Sequence, residues 1–509
     1  MIASVAHRFP LSAMAAPSAP SESEAIPSDV EHVKSRDLKI IDGAFLHGYD
    51  HNIIQETVNG EKFRTLTIQC TDNSKHIGPG RTYYSVWTRD LYWGFLGWAQ
   101  AGDDSVFDMM KSSLTLLIAA KNKNQALGKN KTWPLDDKRF YIPQAYTTGI
   151  VIAQDFFPWC SESQADFLLL AHNYWKLTGD RAFIESIFAD IAYVTETLEL
   201  LDTNGNSLPD ALQGSYDYQG IGVNTEEPLM SAKASMAFSA VAELARMLGE
   251  TFRADRLDAL AATIKETMNK SVEDGGLWKK DDAGGYYVTR KEGKIEDGFI
   301  PYNNLVPIWC GMTSNEQAEA IFSRLDAGFK QYYDLPYGPI YCAPAAGSNK
   351  KSVMTSSSVP WLAYLDVYLR GKQKSEANRA EIFNLLMKHA YDAGGIPILE
   401  GAGIFGDLTG GAGRAWDNGN FFHMLVSGVY GLEKTDDAIY ITDPGRIAGI
   451  HFTELKNFCW KKAVYDFKWK GKGNRITRID VDGKTVSAAA DSHKLTGKAG
   501  KYEVKIELS

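Results

Sequence analysis

Cysteine is scarce in this sequence. Among 509 residues there are five (Cys70, Cys160, Cys310, Cys342 and Cys459), far apart, odd in number and forming no C-x-x-C pair. That pattern excludes a zinc ribbon and a disulfide framework. Long apolar runs are missing too: none approaches the roughly 20 residues a bilayer-crossing helix needs, so no membrane partner is expected. Basic excess is also absent. Lys and Arg number 54 against 63 Asp and Glu, a net charge of −9. Phosphate backbones require a basic face, so nucleic acid is excluded as a partner.

Aromatic residues are abundant, at 12% of the chain with 12 Trp and 24 Tyr. Such a share suggests sugar-stacking surfaces as well as core. The first 34 residues are rich in Ser, Ala, Pro and Glu and read as a disordered or targeting segment. Within them Met1–Ala19 has one Arg, a broken apolar stretch and small residues at Ala13–Ala16. The expectation is a secreted or periplasmic location over a cytoplasmic one. Residues 35–86 alternate in short runs, as in Phe63-Arg-Thr-Leu-Thr-Ile, and read as an N-terminal β segment.

Helical periodicity then dominates 87–437. Apolar runs cover about 91–101, 105–121, 161–177, 182–201, 230–248, 253–270, 314–327, 355–370, 376–393 and 419–430. Pro228 and Gly249 bracket one alanine-rich helix whose small residues lie on nearly every face, which predicts that other helices enclose it. Several helices end on Gly followed by the next element (Ala101-Gly102, Thr178-Gly179, Leu248-Gly249), the punctuation of consecutive hairpins. Ten or more helices so arranged predict a closed double ring, six inner and six outer. Long loops at 122–160, 202–229, 272–313, 328–354 and 394–418 would wall a pocket at one rim. From 438 to 509 period-2 segments predict a small C-terminal β-domain with hairpins at Asp482-Gly483 and Gly497.

Three acidic stretches carry candidate chemistry. In Trp87-Thr-Arg89-Asp90-Leu-Tyr-Trp93 a carboxylate beside indoles can accept two sugar hydroxyls while a ring covers the apolar sugar face; the alternative is Asp90 as an N-cap paired with Arg89. In Ser215-Tyr216-Asp217-Tyr218 the flanking tyrosines would desolvate Asp217 and raise its pKa, as a general acid requires; the alternative is a turn aspartate. Glycines around Glu400 and Asp407 let backbone approach a ligand and leave either carboxylate free to address water; the alternative is a surface loop. One desolvated and one polar carboxylate from distant parts of a chain form the pattern of glycoside hydrolysis. Glu226, in the loop that follows Asp217, is counted with the sugar contacts. Asp202, Asn204, Asn206 and Asp210 place oxygens at alternate positions, and either a structural calcium ion or Asx turns would account for them. No organic cofactor is implied.

The order of these landmarks resembles the six-hairpin (α/α)6-barrel glycosidases, notably trehalases, processing α-glucosidases and the glucosidase domain of glycogen-debranching enzymes. The likeness spans about 85–435. Trp87-Thr-Arg-Asp is similar to their early segment whose Asp holds the non-reducing sugar. Asp217 falls where they carry the general acid, and Ala415-Trp416-Asp-Asn-Gly resembles their closing motif. The resemblance implies a general base on Glu400, 16 residues before Trp416, with Asp407 as the alternative. Trp159-Cys-Ser-Glu162 resembles the segment lining such barrels, so Trp159 and Glu162 join the expected sugar contacts, with helix capping as the other role for Glu162. The base segment departs from the family, being Glu-Gly-Ala-Gly. The resemblance implies an exo-acting, inverting hydrolase of α-gluco-type oligo- or polysaccharides. The rivals are the same barrel on another sugar (a rhamnosidase, a retaining β-glucosidase-like enzyme or a polysaccharide lyase) and a non-catalytic sugar-binding barrel.

Overall fold

A computed structural model describes residues 37–40, 53–58, 60–66, 86–102, 104–126, 142–146, 160–211, 225–329, 360–392, 415–448, 451–486 and 492–509. Among these residues eleven α-helices fill the middle of the chain: α1 (Thr88–Ala101), α2 (Ser105–Ala126), α3 (Ser161–Thr178), α4 (Arg181–Glu199), α5 (Pro228–Leu248), α6 (Thr251–Asn269), α7 (Pro301–Trp309), α8 (Asn315–Ala327), α9 (Pro360–Gln373), α10 (Arg379–Asp392) and α11 (Ala415–His423). A π-helical turn, Met424–Val429, continues α11.

The odd-numbered helices pack in a cycle. Each of α1, α3, α5, α7 and α9 lies against the next odd-numbered helix, and α11 returns to α1. Even-numbered helices flank them, with α2 against α1 and α3, α4 against α3 and α5, and α8 against α7 and α9. Burial follows this order. Helix α5 is buried on nearly every face, from Pro228 through Ala245, as its small residues require. Helix α6 buries one stripe, Ala254, Leu257, Ala261, Ile264 and Met268. That three-to-four residue spacing is an amphipathic helix with a solvated outer face.

Local chemistry sets several ends. Pro228 occupies the first turn of α5, and Gly249 closes it at φ 92°, a left-handed value that a Cβ would disfavour. Gly179 ends α3 in the same way at φ 66°. Gly102 does not: it stops α1 in extended backbone, so the shared Gly signal there reflects a different stop.

The loop expected over 272–313 is corrected. It contains α7 and the short strand pairs 278–279 with 286–287 and 289–291 with 294–296. Two prolines, Pro301 and Pro307, hid α7 from a periodicity reading. Pro301 starts the helix, where its missing N–H is harmless, and Pro307 lies in the last turn of a nine-residue element.

The C-terminal chain builds a six-stranded sheet in the order 37–40, 451–460, 463–470, 500–508, 476–481, 484–486. Asp37–Ile40 pairs parallel with the strand His451–Trp460, so an early segment completes the last sheet. The hairpin at Asp482-Gly483 is present, both residues having positive φ as a tight two-residue turn demands. The hairpin expected at Gly497 is not. The preceding strand, Ser492–Leu495, pairs instead with Ile439–Thr442, which also pairs with Leu432–Lys434. This small sheet is tied to the helices through Lys434, whose backbone N–H donates to Gln100 Oε1 and whose ammonium donates to the Gly102 carbonyl, both at 2.6 Å.

Candidate active site at the helix N-termini

Four odd-numbered helices place their second residue in one contact set: Arg89 of α1, Glu162 of α3, Trp361 of α9 and Trp416 of α11. The Arg89 guanidinium lies 3.7 Å from Glu162 and its carbon 5.1 Å from the Trp416 ring centroid. Trp361 stacks on Trp416 at 5.8 Å and meets Trp93 at 5.1 Å. These helices therefore begin at one end of the cycle, where their positive dipole ends favour the acidic first-turn residues Asp90 and Glu162.

A strap organises that end. The Thr88 backbone N–H donates to the Gln144 carbonyl at 3.0 Å and its hydroxyl to the Pro143 carbonyl at 2.7 Å. The Gln164 side chain of α3 donates to the Ile142 carbonyl and accepts from the Ile142 N–H. Residues 142–146 thus satisfy orphan donors at the start of α1 and fix it against α3.

Asp90 is almost wholly buried, and its carboxylate lies 3.9 Å from Arg89 Nε. It does not cap the helix: the N-cap is Trp87, and Asp90 already lies within the first turn. Glu162 is not a cap either. The residue before α3 is Cys160, and the Glu162 carboxylate turns inward to Lys233 and Arg89.

Beneath this layer lies an ionic cluster that sequence reasoning missed. Lys233 of α5 is fully buried, donates to Glu162 Oε1 and, at 2.7 Å, to Asp166 Oδ1. Its ammonium also faces the rings of Tyr92 at 5.2 Å and Trp93 at 4.8 Å. A signal existed: Lys233 is the only charged residue within the alanine-rich stretch 228–242, and Asp166 follows Glu162 at the i, i+4 spacing of one helix face. Burial pushes the Asp166 carboxyl up to about 7, against the pull of Lys233. The same two carboxylates hold the Lys233 ammonium above its ordinary value despite its burial. Lys233 thus pairs with both buried acids, and burial favours the protonated form of Asp166.

A second buried group titrates oppositely. His423, at the end of α11, packs against Trp309 at 5.1 Å and Tyr368 at 4.6 Å, with neither ring nitrogen hydrogen-bonded among the described residues. Desolvation lowers its pKa to about 3. The two groups therefore oppose each other. Asp166 binds more protons folded than unfolded, so its stabilisation is full below about 3.9 and is lost as pH rises to about 7. His423 binds fewer, so its share is full above about 6.5 and is lost as pH falls towards about 3. Urea midpoints measured across pH 4–8 should therefore show a downward slope contributed by Asp166. Asp166→Asn should remove that slope, leaving stability that rises towards neutrality. Parallel profiles for wild type and variant would refute the assignment.

The other expected residues fall into two sets. Glu226 is buried in a hydrogen-bond network, accepting from Arg290 at 2.6 Å, Asn206 at 2.6 Å and Asn204 at 2.9 Å. Its carboxylate anchors the 202–210 loop to strand 289–291. In that loop Asp202 accepts from the Ser207 N–H, Asn204 from Asn206 and Asn206 from Leu208, while Thr203 donates to Asp210. The bonds of Asn204 and Asn206 are Asx turns. The Asn204 and Asn206 side-chain oxygens are thereby engaged by backbone N–H groups, whereas a calcium ion needs about six to eight oxygens turned inward. No group of three or more His, Cys, Asp or Glu suited to a metal occurs among the described residues. Asp217, Tyr216, Glu400, Asp407 and Trp159 lie outside the described residues.

Helix ends that meet around buried carboxylates, a guanidinium and indoles define a helical protein with a polar, aromatic site. By sequence the chain matches no protein-family model and no curated protein. By structure it is similar to a GH78 family rhamnosidase of Bacillus sp. GL1, with a TM-score of 0.51, 15% identity, and coverage of 76% of this chain and 37% of that one. It also resembles a bacterial glucoamylase complexed with acarbose (TM-score 0.49, 14% identity, 68% of this chain and 49% of that one). An uncharacterized conserved protein from Thermus thermophilus matches with a TM-score of 0.48 at 10% identity, over 75% of this chain and 98% of that one. The chain spans about a third of the rhamnosidase and half of the glucoamylase. The fold is thus similar to that of part of this rhamnosidase.

Proposed function

We propose that this chain is an (α/α)6-barrel glycoside hydrolase whose catalytic pocket lies at the N-terminal ends of the odd-numbered, inner helices. One observation carries the reading: Arg89, Glu162, Trp361 and Trp416 meet beside Asp90, although their helices are up to 327 residues apart in sequence (416 − 89). Carboxylate and guanidinium groups bind sugar hydroxyls, and an indole covers the apolar face of a pyranose ring. Glu162, itself held by Lys233, steadies Arg89. On this reading Asp90 and Arg89 anchor the terminal sugar, Asp217 protonates the leaving oxygen and Glu400 activates water. The enzyme is exo-acting and inverts configuration, with its two catalytic carboxyls about 6.5–9.5 Å apart.

Turnover of a panel of aryl α-D-glucosides, α-L-rhamnosides and β-D-glucosides, followed by proton NMR, tests both substrate and stereochemistry. The first-formed product should have inverted configuration; retention would remove the assigned roles. Asp217→Asn should lower kcat about a hundredfold or more on poor leaving groups, yet far less on dinitrophenyl glycosides, whose departing oxygen hardly needs a proton. Glu400→Gln should slow both classes alike. If Asp407→Asn produced that uniform loss instead, Asp407 would be the base.

A further inference from the structure

A cleft of about 220 Å³ opens where the last turn of α3 meets the hairpin of Leu432–Lys434 and Ile439–Thr442. Its walls are Trp175, Lys176, Thr435, Asp436, Asp437 and Tyr440. The Asp436 N–H donates to the Lys176 carbonyl at 2.8 Å, which locks the two walls together. Trp175 and Tyr440 are half-buried, so each shows part of a ring to solvent.

The charges lining the cleft are almost balanced. Asp437 is engaged by Lys494, by the Thr435 hydroxyl at 2.7 Å and by the Tyr440 hydroxyl at 3.5 Å. Lys176 stands 3.6 Å from Glu243 and 5.7 Å from the Trp175 ring centroid. Asp436 is exposed beside Gly179, which has no side chain to cover its carboxylate. Aromatic surface, a hydrogen-bond acceptor, a donor and little net charge suit a neutral polyhydroxylated ligand better than an anion or a cation. The volume admits a single sugar ring.

We propose that this cleft is a second carbohydrate-binding site, holding one residue of a glycan chain against Trp175 and Tyr440 with its hydroxyls on Asp436 and Lys176. The proposal rests on the reading of the chain as a glycoside hydrolase. It adds a site remote from the proposed pocket: Glu162 and Trp175 are 13 residues apart on one helix, hence about 20 Å along its axis. A polymer bound there would raise the local concentration of chain ends near the pocket without touching the reacting bond.

The test uses a glycan array of plant, fungal and bacterial oligosaccharides, probed with the full chain. Wild type, Trp175→Ala/Tyr440→Ala, Asp436→Asn and Asp90→Asn are compared, with thermal melts to show that each is folded. The double variant should weaken binding to at least one long glycan by about tenfold or more. Asp436→Asn should weaken it less, and Asp90→Asn should leave it in place. Turnover of short aryl glycosides should be unchanged in the cleft variants, while KM for the polymer rises. Aryl glycosides turned over and glycan binding unaffected by the cleft variants would overturn the second site and leave the hydrolase reading standing. Neither binding nor turnover by wild type would overturn both.

Discussion

Lys233→Met should be among the most destabilising single substitutions in this protein. It removes the ammonium that pairs with both Glu162 and Asp166, with all three side chains wholly buried. Breaking a buried pair by deleting one partner typically costs about 3–5 kcal/mol, because the remaining charge has no compensation. Asp166 can escape by taking a proton; among the described residues Glu162 keeps Arg89, at 3.7 Å. The urea midpoint should therefore fall sharply, and fall further at pH 8 than at pH 5, since the higher pH forces Asp166 to ionise. Lys233→Met combined with Glu162→Gln and Asp166→Asn should recover much of the loss, as neutral side chains of similar shape carry no buried charge. A single variant within about 1 kcal/mol of wild type would show that the cluster is solvated. That would also weaken Glu162 as the group steadying Arg89.

Gly97→Ala should open the ring of inner helices. Helices α1 and α11 form the seam that closes the cycle, and they cross on Gly94, Gly97 and Gly419. A methyl on Gly97 would overlap the Gly419 carbonyl and stand 2.6 Å from the His423 backbone nitrogen. One on Gly419 would overlap Gly94. Both obstacles are main-chain atoms, so no rotamer change relieves them and the helices must separate. Overpacking commonly costs about 1–3 kcal/mol; with rigid backbone on both sides, about 3 kcal/mol or more is expected. Gly249→Ala is the control. That residue needs its positive φ but has nothing within 4 Å of a new Cβ, so only the backbone penalty of about 1–2 kcal/mol applies. Equal melting temperatures for Gly97→Ala and Gly249→Ala would remove the close-crossing account. Separation at this seam should also draw Arg89 on α1 away from Trp416 of α11, which on the proposed reading lowers sugar affinity.

Much of the helical plan was legible along the chain. The Pro228 start, the Gly249 stop and the small residues between them predict α5 with its enclosure, because caps and periodicity act within a few residues. The Asp482-Gly483 turn was legible for the same reason. Helix α7 was not. Its length is two and a half turns, and its prolines are ordinary loop signals unless packing against α5 and α9 holds the segment helical. The site divided likewise. Arg89, Asp90 and Trp416 stood out because indoles and charges sit together in short motifs. Lys233 stood in no such motif, because its carboxylate partners lie on another helix.

What the sequence alone determined is therefore local: where helices begin and end, which of them are buried all round, and which short stretches mix carboxylates with aromatic rings. The tertiary structure decided which of those groups meet. Lys233 pairs with residues 67 and 71 positions away, Glu226 with one 64 away, and the seam between α1 and α11 joins glycines more than 300 apart. Periodicity and capping are properties of a single element and its neighbours in the chain. The neutralisation of a buried charge and the closeness of two backbones depend on helices that only folding brings together.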